Sequence, residues 1–380
     1  MSIVIVGAGL AGGTAVTELR ETGHTGPVVL LGAEQHPPYE RPPLSKGYLL
    51  GNDPIDDAFV HPQAWYAEHD VDLRLGVQAT AVDVDAHVVH TSAGDIPYEQ
   101  LLLATGAEPR RLTVAEDSGV PTAYLRTIED SDRLKTAFAK GGRIAVVGAG
   151  WIGLEAAAAA RSAGCAVTVF ETADLPLLRV LGPTVAEAFA GLHRRHGVDL
   201  RLGTQVSAAD LQGADLVVAG VGVTPRVAIA EAAGLAVDDG VLVDAGLRTA
   251  HAESGTREPD VLAVGDIANH AHPLLGRIRV EHWDTAINQA KVAAHNLAGG
   301  DETYDALPYF FTDQYDLGME YVGHGGADDE VVVHGDLAAL VFRAFWLRDG
   351  RVVAAMHAND WDATDDLRAA VASGDLPPAP

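Results

Sequence analysis

Short apolar runs alternate with amphipathic segments along the whole chain, and glycine-rich turns separate them. The N-terminus reads SIVIV, GAGLAG, GTAVTELRETG and VVLLGAE, which predicts strand, turn, helix and strand over residues 2–34. The same order returns in RIAVVGAGWIGLEAAAAARSAGCAVTVFE at residues 143–171. Strands and helices that alternate in this way indicate an α/β fold with parallel sheets.

Both glycine turns have the GxGxxG spacing that cradles a dinucleotide. In such a turn the first glycine makes the tight bend, the second lets the backbone approach a diphosphate, and the third lets helix and strand pack closely. The free N–H groups and positive dipole end of the following helix then attract phosphate. The six glycines are Gly7, Gly9, Gly12, Gly148, Gly150 and Gly153.

An acidic residue at the end of the second strand completes each unit. Glu171 ends AVTVF, where a carboxylate accepts from a ribose 2′-hydroxyl and repels a 2′-phosphate, so we expect NADH rather than NADPH. In the first unit Ala33 precedes Glu34, which is the first carboxylate able to reach a ribose; a solvated turn glutamate is the alternative. Two complete cradles predict two dinucleotides, whereas one degenerate and merely structural copy would leave a single site.

Composition and charge narrow the range of partners. A chain of 380 residues with 48% hydrophobic content can bury more than one core. A net charge of −27 argues against nucleic acid and against anionic membrane surfaces. The apolar N-terminus has no basic leader, and no apolar run is long enough to span a bilayer, so we expect a cytoplasmic protein. No motif predicts a metal site.

Cys165 is the only cysteine, which forbids an internal disulfide and a CxxC redox pair. It follows a predicted helix in SAGCAVTVF, where a buried and inert thiol is expected.

The stretch YERPPLSK at residues 39–46 raises a separate question, because it holds Lys46 behind two prolines. Taken alone, it is a surface turn, since Pro-Pro fixes the backbone and Ser-Lys is ordinary loop chemistry.

Together with LLLATGAEP, AYLRTIED, VVAGVGVTP and VLAVGDIA, this stretch resembles the FAD-dependent, NADH-linked ferredoxin reductases that serve ring-hydroxylating dioxygenases and haem monooxygenases. The resemblance extends through EHWDTAINQAKVAAHNL and PYFFTDQYDLGMEYVGH. It implies two Rossmann-like, three-layer domains and a C-terminal α/β interface domain. An FAD domain would comprise residues 1–108 and 236–305, an NADH domain residues 109–235, and the interface domain residues 306–380.

The resemblance also implies binding residues. The FAD diphosphate would be held by Gly7, Gly9, Ala11 and Gly12. Further cofactor contacts are expected from Glu34, Arg41, Lys46, Ala79, Thr105, Gly106, Arg126, Ile152, Glu155, Gly222, Asp266 and Trp283. Asp266 also has a physical rationale, since it follows a buried strand and a glycine turn at an expected helix start; a simple helix cap is the alternative interpretation and is compatible with that role. Relatives usually carry an acid where this chain has Ala33, which puts the adenosine-ribose contact in question.

In the resembling family the lysine of YERPPLSK lies beside the flavin and pairs with the glutamate after the second glycine turn, here Lys46 and Glu155. A solvated Lys46 and a Glu155 that only complements its helix dipole are the alternatives. Hydride transfer needs stacked rings and excluded water but no protein acid or base. Trp283 packs by the flavin in this interpretation, and an ordinary core tryptophan is its alternative.

Electrons must then leave without a cysteine relay. The favoured acceptor is a ferredoxin of the 2Fe-2S type. Because the chain is acidic, docking would need a local basic patch, for which Arg277 and Arg279 are candidates, with Arg343, Arg348 and Arg351 behind them; scattered surface arginines are the alternative. Two other functions stay open, namely an NADH oxidase or diaphorase acting on small acceptors, and a redox-responsive binding protein like apoptosis-inducing factor.

Overall fold

The computed structural model describes residues 1–379, and these form two compact units. The first unit contains residues 1–41, 55–108 and 224–308, and the second contains residues 42–54, 109–223 and the described residues from 309 onward. Within the described residues, no helix combines the length and the apolar character needed to cross a bilayer.

A nine-stranded sheet forms the centre of the first unit. Its core strands are parallel and read as nearly unbroken apolar runs, as in IVIV at Ile3–Val6, because both faces are covered. In spatial order the strands are Gly276–Arg279, Ala268–His272, Val241–Val243, Arg248–Ala250, Arg257–Ala263, Gln100–Leu103, Ile3–Val6, Val28–Gly32 and Val71–Leu75.

Two long helices, Leu10–Glu21 and Trp283–Leu297, pack against each other and against this sheet. The alanines and glycines on their facing surfaces allow this close approach. A small antiparallel sheet contributes to the same core with Ala79–Asp83, Val88–Thr91 and Gly94–Pro97. The shorter helices of this unit are Ile55–Ala58, Gln63–Glu68, Ala228–Ala232 and Gly265–Ile267.

The second unit contains a five-stranded parallel sheet and an antiparallel C-terminal sheet. The parallel strands, in spatial order, are Asp199–Arg201, Ala166–Phe170, Arg143–Val147, Leu216–Ala219 and Thr122–Ala123. The helices around it are Pro42–Ser45, Gly47–Leu50, Thr113–Glu116, Ile128–Ala139, Trp151–Ser162, Leu178–Arg195 and Ala208–Leu211. Gly182 interrupts the longest of these helices, with φ of 68°, just before Pro183.

The C-terminal sheet is antiparallel throughout and is covered by the helix Thr364–Ser373. Its strands, in spatial order, are Tyr309–Gln314, Leu317–Gly323, Arg351–Ala358, Val341–Arg348 and Glu330–Asp336. Two further short strands, Ala107–Pro109 and Val223–Pro225, lie where the chain passes from one unit to the other. The predicted α/β class, with two Rossmann-like folds and a C-terminal α/β region, is confirmed.

Candidate functional site

The first glycine turn, residues 7–12, has the geometry that a dinucleotide requires. A Cβ atom at Gly7, whose φ is +122°, would lie 2.1 Å from the carbonyl oxygen of Ala104, and one at Gly12 would lie 2.0 Å from that of Gly7. At Gly9, by contrast, no atom lies within 4 Å of the Cβ position. The turn is therefore closed by close packing at its two ends and open in the middle, where a diphosphate would approach the backbone.

The helix Leu10–Glu21 begins directly at this opening. Its N-cap is Gly9, and no side chain caps it, so its first amide groups are available to an anion. Ala11 lies in this first turn and is buried, and its methyl group is 3.5 Å from the Cβ position of Gly265. The structure therefore fits a bound FAD diphosphate at the predicted residues.

Glu34 follows the strand Val28–Gly32 and holds a small polar cluster together. Its Oε1 accepts from Arg41 Nη2 at 2.9 Å, and its Oε2 accepts from the Tyr39 hydroxyl at 2.6 Å. Burial raises the pKa of Tyr39 well above its usual range, so its hydroxyl keeps its proton and donates. Asp266 adds to the negative field at Arg41. The contact of Glu34 with a ribose stays a prediction.

Asp266 lies in the single turn Gly265–Ile267, after the strand Arg257–Ala263. The expectation of a helix start at this point is wrong, because the chain leaves this 3₁₀ turn directly into another strand, Ala268–His272, after only three residues. The N–H of Gly265, with φ of +73°, donates to Gln289 Oε1 at 2.8 Å. A side chain of the long helix Trp283–Leu297 thus fixes the turn that carries Asp266.

Trp283 begins that long helix and is half-buried. Burial raises the pKa of Glu40, and the polar interaction with Trp283 opposes this rise. Ala79 begins a strand of the small sheet. Thr105 and Gly106 both bind the backbone of Arg226. Thr105 Oγ1 donates to the Arg226 carbonyl at 2.7 Å, and the Gly106 carbonyl accepts from Arg226 N at 2.9 Å.

The second glycine turn, residues 148–153, repeats the geometry of the first. Cβ atoms at Gly148 and Gly153 would lie 2.4 Å and 2.0 Å from backbone carbonyl oxygens, whereas the Cβ position of Gly150 is open to 4 Å. Ile152, in the first turn of the next helix, is 45% exposed. Gly222 has φ of +98°, a conformation that favours glycine. This cradle also fits a dinucleotide.

Glu171 lies at the mouth of the second cradle. Its Oε2 accepts from the backbone N–H of Ala149 at 2.7 Å, and its Oε1 accepts from that of Ala173 at 2.9 Å. The carboxylate is therefore fixed against the glycine turn, where a ribose edge would pass. Its contact with the 2′-hydroxyl stays a prediction.

Lys46 and Glu155 form a buried ion pair within the second unit. Lys46 Nζ lies 2.5 Å from Glu155 Oε1, and the side chain of Glu155 is 2% exposed while that of Lys46 is 15% exposed. Ser45 Oγ and Thr312 Oγ1 also donate to the Glu155 carboxylate, each at 2.5 Å. Three donors thus compensate one buried negative charge.

The turn Pro42–Ser45 is anchored so that Lys46 reaches Glu155. Ser131 Oγ donates to the Leu44 carbonyl at 2.8 Å, and the Tyr48 hydroxyl donates to Asp132 at 2.5 Å. The Lys46 ammonium also lies 5.3 Å from the centre of the Phe311 ring. YERPPLSK is therefore not a simple solvated turn, and the predicted pairing of its lysine is present.

Neighbouring groups of this pair were not predicted from the sequence. Thr312 and Asp313 fall within PYFFTDQYDLGMEYVGH, which carried the resemblance without singling out a residue. Burial raises the pKa of Asp313; Lys46 lowers it, and Glu155 and Glu320 raise it. The alternation of the strand Tyr309–Gln314 was the available signal, since it turns Thr312 and Gln314 to the same buried face.

The arginines considered for docking are already engaged. Arg279 is 9% exposed and pairs with Asp239 and Glu281, which argues against a role in docking. Arg277 donates to the backbone carbonyls of Val243 and Asn269. In the C-terminal region Arg343 pairs with Asp360 and Asp366, Arg348 pairs with Asp329, and Arg351 donates to the Ser373 carbonyl.

Two more predicted residues lie in the second unit. The backbone N–H of Arg126 donates to Asp130, beside the capping box that begins the helix Ile128–Ala139. Cys165 is fully buried, and burial raises the pKa of its thiol, which agrees with the expected inert role.

Comparisons with known proteins agree with this geometry. Residues 1–290 match the model of the pyridine nucleotide-disulphide oxidoreductase family, and residues 309–379 match the reductase C-terminal family. The ferredoxin–NAD(+) reductase component of the anthranilate 1,2-dioxygenase system from Burkholderia cepacia is 42% identical and covers 98% of this chain and 95% of its own length. Putidaredoxin reductase from Pseudomonas putida is 37% identical over 93% of this chain and 87% of its own.

Among solved structures, the covalent putidaredoxin reductase–putidaredoxin complex matches with a TM-score of 0.88 and 36% identity. The match covers 97% of this chain and 91% of that chain. The agreement thus extends over both units.

Proposed function

The chain belongs to the pyridine nucleotide-disulphide oxidoreductase family, and we propose that it is the ferredoxin reductase of an oxygenase system, with a 2Fe-2S ferredoxin as its acceptor. It is an oxidoreductase that uses FAD and NADH, and it transfers electrons from NADH to a ferredoxin. The type of ferredoxin is the finer part of the proposal. A 2Fe-2S ferredoxin meets the need for a one-electron acceptor outside the chain.

The observation that carries the proposal is the presence of two complete glycine turns, one in each unit. Gly9 and Gly150 leave open space at the same position of each turn, while the flanking glycines make close backbone contacts. We assign FAD to the first turn and NADH to the second, as the family resemblance implies, and Glu171 is fixed against the glycines of the second turn. The domain boundaries given above remain part of this proposal.

FAD, when bound, would supply the two-electron and one-electron chemistry that links NADH to a ferredoxin. The residues of the chain bind and orient. The two helix N-termini and open glycines hold diphosphates, Glu171 selects the nucleotide without a 2′-phosphate, and Lys46 supplies a fixed positive charge that favours the electron-rich reduced flavin. Glu155 keeps that charge in place.

A sulfur relay inside the chain is excluded by the cysteine count. The single thiol is buried and cannot form an internal disulfide. Electrons therefore pass to an external acceptor, and the disulphide chemistry in the family's name does not apply to this chain. The NADH oxidase and redox-responsive binding alternatives differ from this proposal in what receives the electrons.

A sequential-mixing stopped-flow experiment tests the proposal. The holoenzyme is first reduced anaerobically with NADH and then mixed with a 2Fe-2S ferredoxin, with oxygen or with a quinone. We expect ferredoxin reduction to be the fastest of the three. Reoxidation by oxygen or quinone at an equal or higher rate would favour the oxidase or diaphorase, and slow reoxidation by all three would favour the binding protein.

A cytoplasmic location belongs to the same proposal, because NADH is supplied there. Fractionation of the native host, with detection of the chain by antibody, would test it.

A further inference from the structure

A series of hydrogen-bonded, buried polar side chains runs from Glu155 to the end of the helix Leu178–Arg195. Thr312, Gln314 and His193 are each at most 1% exposed, although their side chains are polar. All belong to the second unit. Buried polar groups are costly unless each finds a partner, so their connection requires an explanation.

The connections are continuous. Thr312 Oγ1 donates to Glu155 Oε1 at 2.5 Å, and Gln314 Nε2 donates to Thr312 Oγ1 at 3.2 Å. His193 Nε2 lies 2.8 Å from Gln314 Oε1, and the Tyr315 hydroxyl lies 3.4 Å from His193 Nδ1. Tyr315 in turn stacks on His196 with ring centres 3.7 Å apart.

Glu155 determines which group donates and which accepts in every hydrogen bond of this series. An ionised carboxylate can only accept, so the Thr312 hydroxyl must donate to it and has only lone pairs left for Gln314. Gln314 must then present its amide nitrogen to Thr312 and its carbonyl oxygen to His193. A carbonyl oxygen requires a donor, which places the His193 proton on Nε2.

His193 has only one proton to give. Burial lowers its pKa to about 4, so the ring is neutral near pH 7 and has a single N–H. With that proton on Nε2, Nδ1 is an acceptor and faces the Tyr315 hydroxyl. The tautomer of a buried histidine is thus tied to a carboxylate that it does not touch.

We infer that Thr312, Gln314 and His193 are positioning residues that hold the Glu155 carboxylate, and through it the Lys46 ammonium, in one orientation. None of the three is proposed to touch a cofactor. This inference deepens the proposed function and rests on it only where turnover is concerned, because the tautomer of His193 is a property of the folded chain.

The first test reads the tautomer directly. In the oxidised holoenzyme labelled with ¹⁵N-histidine, two-dimensional NMR distinguishes Nε2–H from Nδ1–H rings, and His193→Gln identifies the signal of His193. We expect the Nε2–H form in the wild type and a shift towards Nδ1–H in Thr312→Val, since Gln314 is then free to turn. Thr249→Val, which also removes a fully buried threonine donor but in the first unit, should leave the signal unchanged.

A second variant guards against misfolding of the first. Glu155→Gln keeps the size of the side chain but can donate as well as accept, so it should also shift the His193 tautomer. An Nδ1–H ring in the wild type, or an Nε2–H ring that neither variant changes, would overturn the inference.

The second test measures the reaction. We expect Thr312→Val to slow anaerobic bleaching of the flavin by NADH about tenfold, the effect of losing one hydrogen bond to a charged group, and Thr249→Val to leave it unchanged. A shifted tautomer with an unaltered bleaching rate would overturn the positioning role. A wild type that NADH does not bleach would instead refute the proposed function, while the tautomer result would still stand.

Discussion

Replacing Lys46 with methionine should destabilise the protein through the carboxylate that it leaves behind. Methionine keeps the length and apolar stem of lysine but removes the charge. Glu155 would then be a buried anion, 2% exposed, without its only cationic partner among the contacts described above. The effect is therefore a property of Glu155 rather than of position 46.

The size of the loss follows from the contacts that remain. Removing one partner of a buried ion pair typically costs about 3–5 kcal/mol. Ser45 and Thr312 still donate to the carboxylate, so we expect the lower end, about 3 kcal/mol in the free energy of unfolding. The double variant Lys46→Met/Glu155→Leu removes the stranded charge and should recover most of this loss, because an apolar pair often replaces a buried ion pair at no net cost.

Urea unfolding of FAD-saturated protein, followed by circular dichroism, measures these differences. Lys135→Met is a suitable control, because its ammonium lies over the Tyr48 ring in the same unit, 4.7 Å from the ring centre, and its loss should cost no more than about 1 kcal/mol. The reasoning would be refuted if Lys46→Met lost no more stability than the control. It would also be refuted if the double variant were as unstable as Lys46→Met alone.

Four further predictions concern the cofactors and pH. Lys46→Met should also lower the flavin midpoint potential, measured by reductive titration against reference dyes, and an unchanged potential would remove the electrostatic role of Lys46. Glu171→Ala should raise kcat/KM for NADPH relative to NADH by about fivefold or more, the effect of removing one charge repulsion of about 1 kcal/mol, whereas the nearby exposed Asp174→Ala should not. Gly12→Ala should release FAD, seen as a lower ratio of flavin to protein absorbance, because its Cβ would lie 2.0 Å from the Gly7 carbonyl oxygen, while Gly213→Ala, with open space around it, should retain FAD. The folded-state pKa of His193 is about 4 against an ordinary 6.5, so the unfolded chain binds more protons between these values. The free energy of unfolding should therefore fall as pH falls from about 6.5 to about 4. His193→Gln should reduce the slope of this free energy against pH by up to one proton, and an unchanged slope would contradict the lowered pKa of His193.

The cradles could be predicted from the sequence because their signals are local. Gly7, Gly9 and Gly12 lie within one strand–turn–helix unit, and the apolar run before them leaves no doubt about its strand. The same holds for the turn at residues 148–153. Within a few residues, backbone geometry and composition determine each other, so the pattern determines the structure.

Features that depend on distant parts of the chain could not be predicted in this way. The pairing of Lys46 with Glu155, 109 residues apart, came from family resemblance rather than from the residues themselves. The periodicity around Thr312 indicates a buried face but does not identify the group that it meets. The sequence around Asp266 was wrongly expected to begin a helix. A strand followed by glycine and aspartate can lead into a helix or into another strand, and the local pattern does not distinguish the two.

The surroundings of Glu155 are assembled from three stretches of chain that leave the ribosome at different times. Thr312 is synthesised 157 residues after Glu155, a delay on the order of 10–30 s at usual elongation speeds. Throughout that interval the nascent polypeptide lacks one of the three donors that stabilise the buried Glu155 carboxylate. Final consolidation of this interior must therefore await the synthesis of Thr312, and a truncation before residue 312 would remove one donor to the Lys46–Glu155 pair along with the C-terminal sheet.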